Sequence, residues 1–408
     1  MDLSYGAEYE DFREEVRAFL AANWAEQVAD DGVPEEERIK QFRAKAVAAG
    51  YLSRAIPRKY GGSEQALDLI KNAVISEEFR WAGAPEDPSD LGYALLLPTL
   101  LECGEEWQKE KFIPPTLRGE IRWCQGYSEP GAGSDLASLQ TRAELMGDEW
   151  VINGQKIWTS TAEHADYMFG LIRTEPDQSK HAGISYLLID MHQPGVEVRP
   201  LKQMTGNDGF NEVFLTDART PRDWIVGKRG EGWKVSRATL KHERSGLRDI
   251  GDATTMLAPL VALAKNSVKD GRPALEHPEV RQKLAEIEGT MLASAYSLYH
   301  RASRSLKGEN PGRIQLMAKL IRTDIYQDVT KLAIELVGDD ALLMGAADEG
   351  ISLGFLPPEH PSESGEWVAG FMGSLGGVSA GGSSNIQRNV IAEHGLGLPR
   401  DLAAQRSK

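Results

Sequence analysis

Two short stretches of the sequence combine residue types that could hold a small molecule. The stretch from Trp123 to Asp135, WCQGYSEPGAGSD, is rich in glycine and serine. A turn of this composition exposes backbone N–H groups and short hydroxyls, which suit the phosphates or the polar edge of a cofactor. An ordinary loop between two domains would have the same composition, so both interpretations stay open.

The second stretch, Trp158-Thr159-Ser160-Thr161, places an aromatic side chain beside hydroxyl groups. Such a combination can pack against a flat ring and hydrogen-bond its edge. Tryptophan and threonine are also common in ordinary strands, so this stretch favours a ring-binding site without requiring one.

A third feature is an acid within an apolar helical pattern. Five positions at spacings of three and four residues would share one helical face: Trp233, Ser236, Leu240, Glu243 and Leu247. Burial on this face would raise the pKa of Glu243 toward the range of a general base. The alternative is a partly exposed carboxylate paired with Arg244, and the pattern alone leaves both open.

Several other kinds of chemistry lack their sequence signals. Gly131-Ala132-Gly133 has no third glycine and no strand–helix–strand context, so a Rossmann nicotinamide site is not predicted. The sequence has no GxxxxGK[ST] phosphate loop and no HExxH zinc motif. Cys103 and Cys124 form no CxxC pair, so neither a disulfide framework nor a metal site is expected.

The charge balance limits the partners. The 408 residues include 46 Lys and Arg against 61 Asp and Glu, a formal net charge of −15. A surface of that sign repels phosphates, so neither a nucleic acid nor a membrane is expected as a partner. The first residues carry acids where a signal peptide needs a basic region, and no apolar run is long enough to span a bilayer. The default expectation is a cytoplasmic protein.

The pattern of the chain changes twice and predicts three domains. Residues 1–120 are mostly helical, since Phe12 and Val16 begin a series of apolar residues at helical spacing. Residues 121–228 contain closely spaced short strands typical of a β-barrel or sandwich. Residues 229–408 contain long amphipathic helices suited to a four-helix bundle. The expected fold class is therefore α+β, mainly α, in the order helices, strands, helices.

Turn-forming residues mark two further places in the chain. Asn153-Gly154 lies between two strand-like runs and predicts a hairpin with a two-residue turn. The stretch 365–382 is rich in glycine and serine, which predicts a loop before a last helix over 385–395.

Several blocks of sequence together resemble the acyl-CoA dehydrogenase family over nearly the whole length. They follow the family's order: Tyr127–Asp135 (YSEPGAGSD), Asn153–Ser160 (NGQKIWTS), Gln203–Gly206 (QMTG), Phe210–Phe214 (FNEVF), Gly230–Trp233 (GEGW), Ile386–Asn389 (IQRN) and Leu396–Arg400 (LGLPR). The predicted order of helices, strands and helices also fits the family's three-domain fold.

This resemblance implies an FAD-dependent enzyme that acts on an acyl-CoA thioester. In the family a carboxylate removes the α-proton, a hydride passes from the β-carbon to the flavin, and the product is a trans-2-enoyl-CoA. The FAD lies between the β domain and the C-terminal bundle, and electrons leave through electron-transferring flavoprotein. An α-proton beside a thioester is a weak acid, so the reaction needs a poised base and hydrogen-bond donors at the carbonyl oxygen.

The matching motifs carry the family's cofactor contacts onto this sequence. The resemblance assigns these contacts to Tyr127, Ser128, Gly133, Ser134, Trp158, Thr159 and Ser160. Ser128 is expected at the flavin edge, and Ser134 near the phosphate or the pantetheine of the substrate. Trp158 is expected to pack on the isoalloxazine, while Thr159 and Ser160 reach its polar rim.

The resemblance places the catalytic base on the helix after the Gly-Trp block. Many family members carry the base in a Tyr-Glu-Gly-Thr motif, but this sequence has AGGS at Ala380–Ser383. Isovaleryl- and long-chain-type members use a Leu-x-x-Glu-Arg context, which Leu240–Arg244 matches. The base is therefore expected to be Glu243, with Arg244 at the substrate. Gly381 is expected to stabilise the thioester oxygen through its backbone N–H.

Two segments depart from the family where it usually holds the FAD pyrophosphate and adenine across a subunit interface. The usual Arg-x-x-Phe-Gly is SVKDG at Ser267–Gly271, and the usual glutamine before a Gly-Gly pair is missing from ELVGD at Glu335–Asp339. Either FAD is held in another way, or a non-identical subunit supplies these contacts. The expected assembly is a homotetramer or an α2β2 heterotetramer, in which Glu243 would make this chain the catalytic partner.

Two alternatives stay open on sequence alone. One is a flavoenzyme of the same fold with other chemistry, such as an oxidase, an N-hydroxylase or a desulfinase. The other is a non-catalytic subunit that completes the FAD site of a partner. The small residues at 379–382 allow a branched or bulky acyl group but do not require one.

Overall fold

The computed structural model describes residues 6–24, 34–88, 90–244, 255–309, 313–342 and 364–399. In these ranges the helices are α1 (Ala7–Asn23), α2 (Glu35–Ala48), α3 (Leu69–Trp81), α4 (Leu97–Cys103), α5 (Glu106–Leu117), α6 (Gly232–Arg244), α7 (Leu257–Asn266), α8 (Pro278–Leu306), α9 (Ile314–Val337), α10 (Ser364–Gly377) and α11 (Ser384–Val390). The strands are β1 (Trp123–Gly126), β2 (Arg142–Met146), β3 (Glu149–Ser160), β4 (Tyr167–Arg173), β5 (Ile184–Asp190), β6 (Val196–Leu201), β7 (Phe210–Pro221), β8 (Ile225–Val226), β9 (Val268–Lys269) and β10 (Arg272–Pro273). The predicted order of helices, strands and helices is confirmed, and so is the α+β, mainly α fold class.

The chain divides into two compact units, Met1–Arg122 with Ala302–Asn310 and Trp123–Arg301 with Pro311–Lys408. The first unit contains α1 to α5. Its core packs apolar side chains of α1, α2 and α3, including Val16, Leu20, Phe42, Ala46, Ile75 and Phe79. Arg13 and Arg17 of α1 also bind the buried Glu78 carboxylate of α3, at 2.5 and 2.8 Å.

The second unit contains an eight-stranded sheet. Its strand order is β6-β7-β3-β2-β4-β5-β8, and β1 pairs with β4. The buried core of the sheet includes Cys124, Ile152, Met168, Leu187 and Val213. Strands β4 and β5 are buried along nearly their whole length, as strands covered on both faces are. Helix α6 lies against these two strands.

The C-terminal helices of the second unit share a separate core. Helices α7, α8, α9 and α10 contribute buried side chains to one cluster, which includes Leu260, Ala264, Leu284, Ile287, Met291, Ile325, Val329, Leu332 and Trp367. Four helices around one apolar core agree with the predicted bundle.

The predicted hairpin at Asn153-Gly154 is wrong, because both residues lie inside β3. The turn lies instead at Gly147-Asp148, between β2 and β3, where Gly147 has a φ of +66°. Gly154 occupies an irregularity in the β3–β7 pairing and has a φ of +152°. A Cβ atom there would lie 2.5–2.7 Å from Thr141 atoms, so glycine is needed for close approach and not for a turn.

The predicted loop over 365–382 is also wrong for most of its length, because α10 occupies Ser364–Gly377. The buried face of α10 is largely made of small residues, Gly370, Gly373, Ser374 and Gly377. Small residues on this face let α9 and α10 pack closely. Only residues 378–383 connect α10 to α11 without helix.

Candidate active site

The glycine-rich segment forms a tight turn after β1. Glu129 and Ala132 exchange two backbone hydrogen bonds, of 3.1 and 3.0 Å, so Pro130-Gly131 is a two-residue turn. Gly133 and Ser134 follow it and are exposed. Their exposure leaves them accessible to a ligand.

Tyr127 and Ser128 connect this turn to the sheet. The buried ring of Tyr127 is edge-on to Phe169 and Tyr186, at centroid distances of 6.2 and 6.3 Å. Ser128 is half-buried, and its carbonyl oxygen accepts a hydrogen bond from the Ile157 N–H at 2.9 Å. The first predicted segment therefore lies next to the second, whereas the Tyr127 ring belongs to the packing of the sheet.

Trp158 lies on a bulge of β3. Lys156 pairs with Val213 and Thr159 with Asn211, so two residues of β3 stand opposite one residue of β7. Trp158 has a φ of +57°, which is unusual for a bulky residue, and it is 59% exposed. Bulges and unfavourable backbone conformations of this kind occur preferentially at functional sites. The bulge leaves a large flat indole exposed.

Thr159 and its cross-strand neighbour Asn211 are both fully buried. The Asn211 Oδ1 atom accepts a hydrogen bond from the Ala162 N–H at 2.7 Å, which fixes the orientation of the amide. Thr159 Oγ1 and Asn211 Nδ2 have no hydrogen-bond partner among the described residues. Buried polar atoms without a partner are costly and rare, so this pair is an unusual feature of the sheet beside Trp158.

Asn211 is a residue to which sequence reasoning assigned no role. It lies in the quoted block Phe210–Phe214, and a signal was available there. Asn211, Val213 and Leu215 alternate along β7 and are all buried, so a polar residue occupies an inward-facing position of an apolar series.

Glu129 and Lys156 form a buried ion pair that sequence reasoning also missed. Lys156 Nζ lies 2.8 Å from Glu129 Oε1. Burial alone would raise the pKa of Glu129, but the Lys156 ammonium and the Gln140 N–H outweigh it and hold this pKa below its ordinary value. The carboxylate is therefore charged at neutral pH.

Glu243 and Arg244 are the last two residues of α6. Their side chains lie outside the part of the chain that the structure describes. Earlier in the helix, Ser236 and Thr239 are fully buried, and Thr239 Oγ1 lies 3.5 Å from the Tyr186 hydroxyl of β5. Position 243 follows these two residues by seven and four positions, which places it on the same helical face.

Gly381 lies in the connection between α10 and α11. Its φ is +61° and that of Gly382 is +96°, so both adopt a left-handed conformation that favours glycine. The Gly381 carbonyl oxygen accepts a hydrogen bond from Gln387 Nε2 at 3.1 Å. Gly381 is exposed, which leaves its backbone accessible to a ligand.

The side chains brought together on the sheet suit an aromatic ring with polar edges. They offer a flat indole, hydroxyl groups and an amide. Within the described ranges, no group of three His, Cys, Asp or Glu side chains is placed to hold a metal ion. Among the helices that the structure describes, none has the length and apolar character needed to cross a membrane.

Three family models match the chain in sequence order. They are the N-terminal domain of acyl-CoA dehydrogenase at residues 6–120, the middle domain at 124–218 and the C-terminal domain at 230–396. The chain belongs to the acyl-CoA dehydrogenase family. Members of this family are FAD-dependent oxidoreductases of lipid metabolism, so the predicted family and enzyme type are confirmed.

Relatives in this family cover nearly the whole chain. The acyl-CoA dehydrogenase IpdE1 of Mycobacterium tuberculosis is 38% identical over 404 residues, which are 96% of this chain and 98% of that protein. The solved ChsE4-ChsE5 complex from Mycobacterium tuberculosis is 29% identical, with a TM-score of 0.75 over 98% of this chain and 100% of the matched chain. The Tcur3481-Tcur3483 steroid ACAD gives the same identity, TM-score and coverage.

Proposed function

We propose that this chain is an FAD-dependent dehydrogenase that converts an acyl-CoA thioester to its trans-2-enoyl-CoA and passes electrons to electron-transferring flavoprotein. The observation that carries the proposal is the exposed, strained Trp158 beside the buried Thr159 hydroxyl, which has no partner among the described residues. The free-energy cost of the positive φ at Trp158 and of the buried Thr159 hydroxyl is explained if a ring binds there. Membership of the family supplies the chemistry for which such a ring is used.

FAD fits these residues in both shape and polarity. Trp158 would pack against the isoalloxazine, and Thr159 with Ser160 would hydrogen-bond its polar rim. Ser128 would contact the flavin edge, and Ser134 the phosphates or the pantetheine. The other proposed contacts are Tyr127 and Gly133. FAD, when bound, supplies the acceptor for the hydride that leaves the β-carbon of the substrate.

Glu243 is the proposed catalytic base. Position 243 continues the face of α6 on which Ser236 and Thr239 are buried, and a carboxylate is the kind of group that can act as the general base for an α-proton. Glu243 takes the α-proton of the thioester. The Gly381 N–H stabilises the carbonyl oxygen as negative charge develops on it, and Arg244 contacts the substrate.

For the substrate we propose a bulky, polycyclic acyl-CoA. The matched Tcur3481-Tcur3483 protein is named a steroid ACAD. In this chain residues 379–382 are Ser-Ala-Gly-Gly, so the segment that contains Gly381 carries no large side chain. Small side chains beside the proposed thioester site leave volume for a bulky acyl group.

The proposed assembly is an α2β2 heterotetramer with this chain as the catalytic subunit. The segment Ser267–Gly271 includes the turn of the exposed β9–β10 hairpin, with Asp270 at a φ of +48°. An aspartate here would repel a pyrophosphate. Glu335, in the second departing segment, forms an exposed ion pair with Lys283 at 2.6 Å. A non-identical subunit would then supply the missing FAD contacts, and the matched ChsE4-ChsE5 structure is a complex of two named proteins.

An anaerobic titration followed by visible absorption tests the proposed function. The purified chain, alone and co-purified with its partner, is mixed with short, long, branched and steroid-like acyl-CoAs. Bleaching of a bound flavin by one class supports the dehydrogenation and identifies the substrate class. A yellow protein that no thioester bleaches contradicts the proposal. Rapid reoxidation of the bleached flavin by oxygen favours an oxidase instead.

A further inference from the structure

Lys156 carries a fully buried side-chain amino group directly before the bulge of β3, where burial lowers its pKa and the Glu129 carboxylate favours the ammonium form. Its Nζ atom donates to Glu129 Oε1 at 2.8 Å, to the Leu171 carbonyl oxygen at 2.7 Å and to the Tyr127 carbonyl oxygen at 3.4 Å. An ammonium group has three N–H donors, so these three oxygens satisfy all of them. A buried group bonded in three directions fixes the positions of its neighbours.

Glu129 extends these bonds to the two residues that precede β2. Its Oε2 atom accepts from the Gln140 N–H at 2.5 Å, and its Oε1 atom accepts from the Thr141 N–H at 2.9 Å. The pair therefore connects both ends of the segment that includes Gly133 and Ser134. The exposed part of this segment is held at its base by buried, charge-assisted hydrogen bonds.

Both proposed flavin-contact segments are attached to this pair. Tyr127 and Glu129, which contact the ammonium, are the two neighbours of Ser128 in the chain. On β3, Lys156 is followed by Ile157, whose N–H binds the Ser128 carbonyl oxygen, and then by Trp158. A displacement of about 1 Å at a residue that orients reacting groups can cost a factor of about 100 in rate. The spacing between Ser128 and Trp158 thus depends on where Lys156 lies.

We propose that Lys156 and Glu129 are positioning residues, which keep Ser128 and the Trp158 bulge at the spacing that lets both contact one flavin ring. This inference rests on the proposed FAD site. A role in stability alone explains the pair less well, because a buried ion pair can often be replaced by uncharged residues of similar volume with little loss of stability.

The first test needs no cofactor. The double variant Glu129→Gln/Lys156→Met removes both charges together and keeps one acceptor oxygen, so the N–H of either Gln140 or Thr141 loses its partner. Hydrogen exchange of the full chain is compared in peptides covering residues 125–135 and 155–163. We expect exchange in these peptides to rise about tenfold, because the local opening that exposes their amides becomes easier. Glu129→Asp keeps the charge but shortens the side chain, and a smaller rise is expected.

Thr220→Val is the matched control. The buried Thr220 hydroxyl donates to the Leu188 carbonyl oxygen at 2.6 Å. Thr220 pairs with Trp150 and lies nine residues along β7 from Asn211, or roughly 30 Å. Loss of this hydrogen bond is expected to lower the melting temperature and to leave exchange in the two peptides unchanged.

The second test measures FAD affinity by reconstitution, with any partner subunit present. The dissociation constant is expected to rise about tenfold or more in the double variant, because the binding groups lose their preorganisation. It should stay unchanged in Thr220→Val. Parental exchange and parental FAD affinity in a folded double variant would overturn the inference and leave the pair a structural feature. If the double variant does not fold but Glu129→Asp does, hydrogen exchange and FAD affinity are measured on Glu129→Asp. Those two measurements then decide the inference.

Hydrogen exchange, FAD affinity and reduction by acyl-CoA together distinguish a failure of this inference from a failure of the proposed function. A parent that binds FAD but is reduced by no acyl-CoA contradicts the dehydrogenation, while the positioning role is still decided by affinity and exchange. A parent that binds no FAD even with a partner contradicts the cofactor site and with it the inference. Unchanged exchange and affinity in the variants of a parent that acyl-CoA does reduce would overturn the positioning role alone.

Discussion

At the scale of single residues, replacing the Thr159 hydroxyl is expected to change stability and FAD affinity in opposite directions. In the chain without cofactor, Thr159→Val replaces a buried hydroxyl that has no partner in the described ranges by a methyl group, so stability is expected to stay equal or to rise. FAD affinity is expected to fall roughly tenfold, because the flavin loses one hydrogen bond. Melting temperature and FAD titration measure the two effects.

The control for this prediction is again Thr220→Val, since its hydroxyl is already bonded within the sheet. It should lower the melting temperature and keep the FAD affinity. If Thr159→Val destabilises the chain as much as Thr220→Val and binds FAD normally, the Thr159 hydroxyl has a structural partner and no part in the site.

Residue types in the sequence pointed to some of the candidate site residues and not to others. Trp158 and Thr159 were named as candidates, although the pattern was weak because Trp and Thr are common in ordinary strands, and the family resemblance supplied their expected contacts. Lys156 and Glu129 were not, because most lysines and glutamates are exposed and nothing in the sequence shows that these two are buried together. Asn211 could have been found from its place in the alternation along β7.

At the scale of secondary-structure elements, a substitution of Gly154 tests whether β3 needs a glycine where it approaches Thr141. A Cβ at this position would lie 2.5–2.7 Å from Thr141 atoms, and the backbone has a φ of +152°. Gly154→Ala is therefore expected to lower the free energy of unfolding by about 1–3 kcal/mol. Urea unfolding measures this change in the free energy of unfolding. Gly289→Ala is the control, because its site in α8 is open and alanine favours a helix, so a small gain is expected.

Glycine explains both errors in the predicted elements. At Gly154 glycine allows close approach to Thr141, and on α10 the glycines are buried within a helix, whereas sequence rules interpret glycine as a turn or a loop. Long elements with a regular apolar period were predicted correctly. Helices α8 and α9, for example, are two of the long helices expected within residues 229–408. A close approach depends on the partner element, so no local pattern reveals it.

At the scale of the whole molecule, the assembly can be tested without a substrate. Expressed alone, the chain is expected to retain less than one FAD per chain, because its own segments lack the usual pyrophosphate contacts. Co-expression with a related protein that retains the Arg-x-x-Phe-Gly motif should restore the yellow colour and give a complex of four chains. Flavin absorbance combined with light scattering measures both. A homotetramer with a full complement of FAD would contradict the heteromeric proposal.

The domain boundaries at residues 120 and 228 stay a prediction at this scale. The sequence predicted the order of the parts because helical and strand periods differ strongly over long windows. It could not predict the assembly, since contacts with another chain depend on surfaces and not on periodicity.

The most direct measurement of the central claim is the rate at which acyl-CoA bleaches the bound flavin under nitrogen, in the parent and in Glu243→Gln. The variant keeps the size of the side chain and removes its ability to take a proton. Flavin content should be equal, and the rate is expected to fall by a factor of about 100 or more. Lys234→Gln, at an exposed position of the same helix, should reduce at the parental rate. Near-parental bleaching in Glu243→Gln would contradict the assignment of the base.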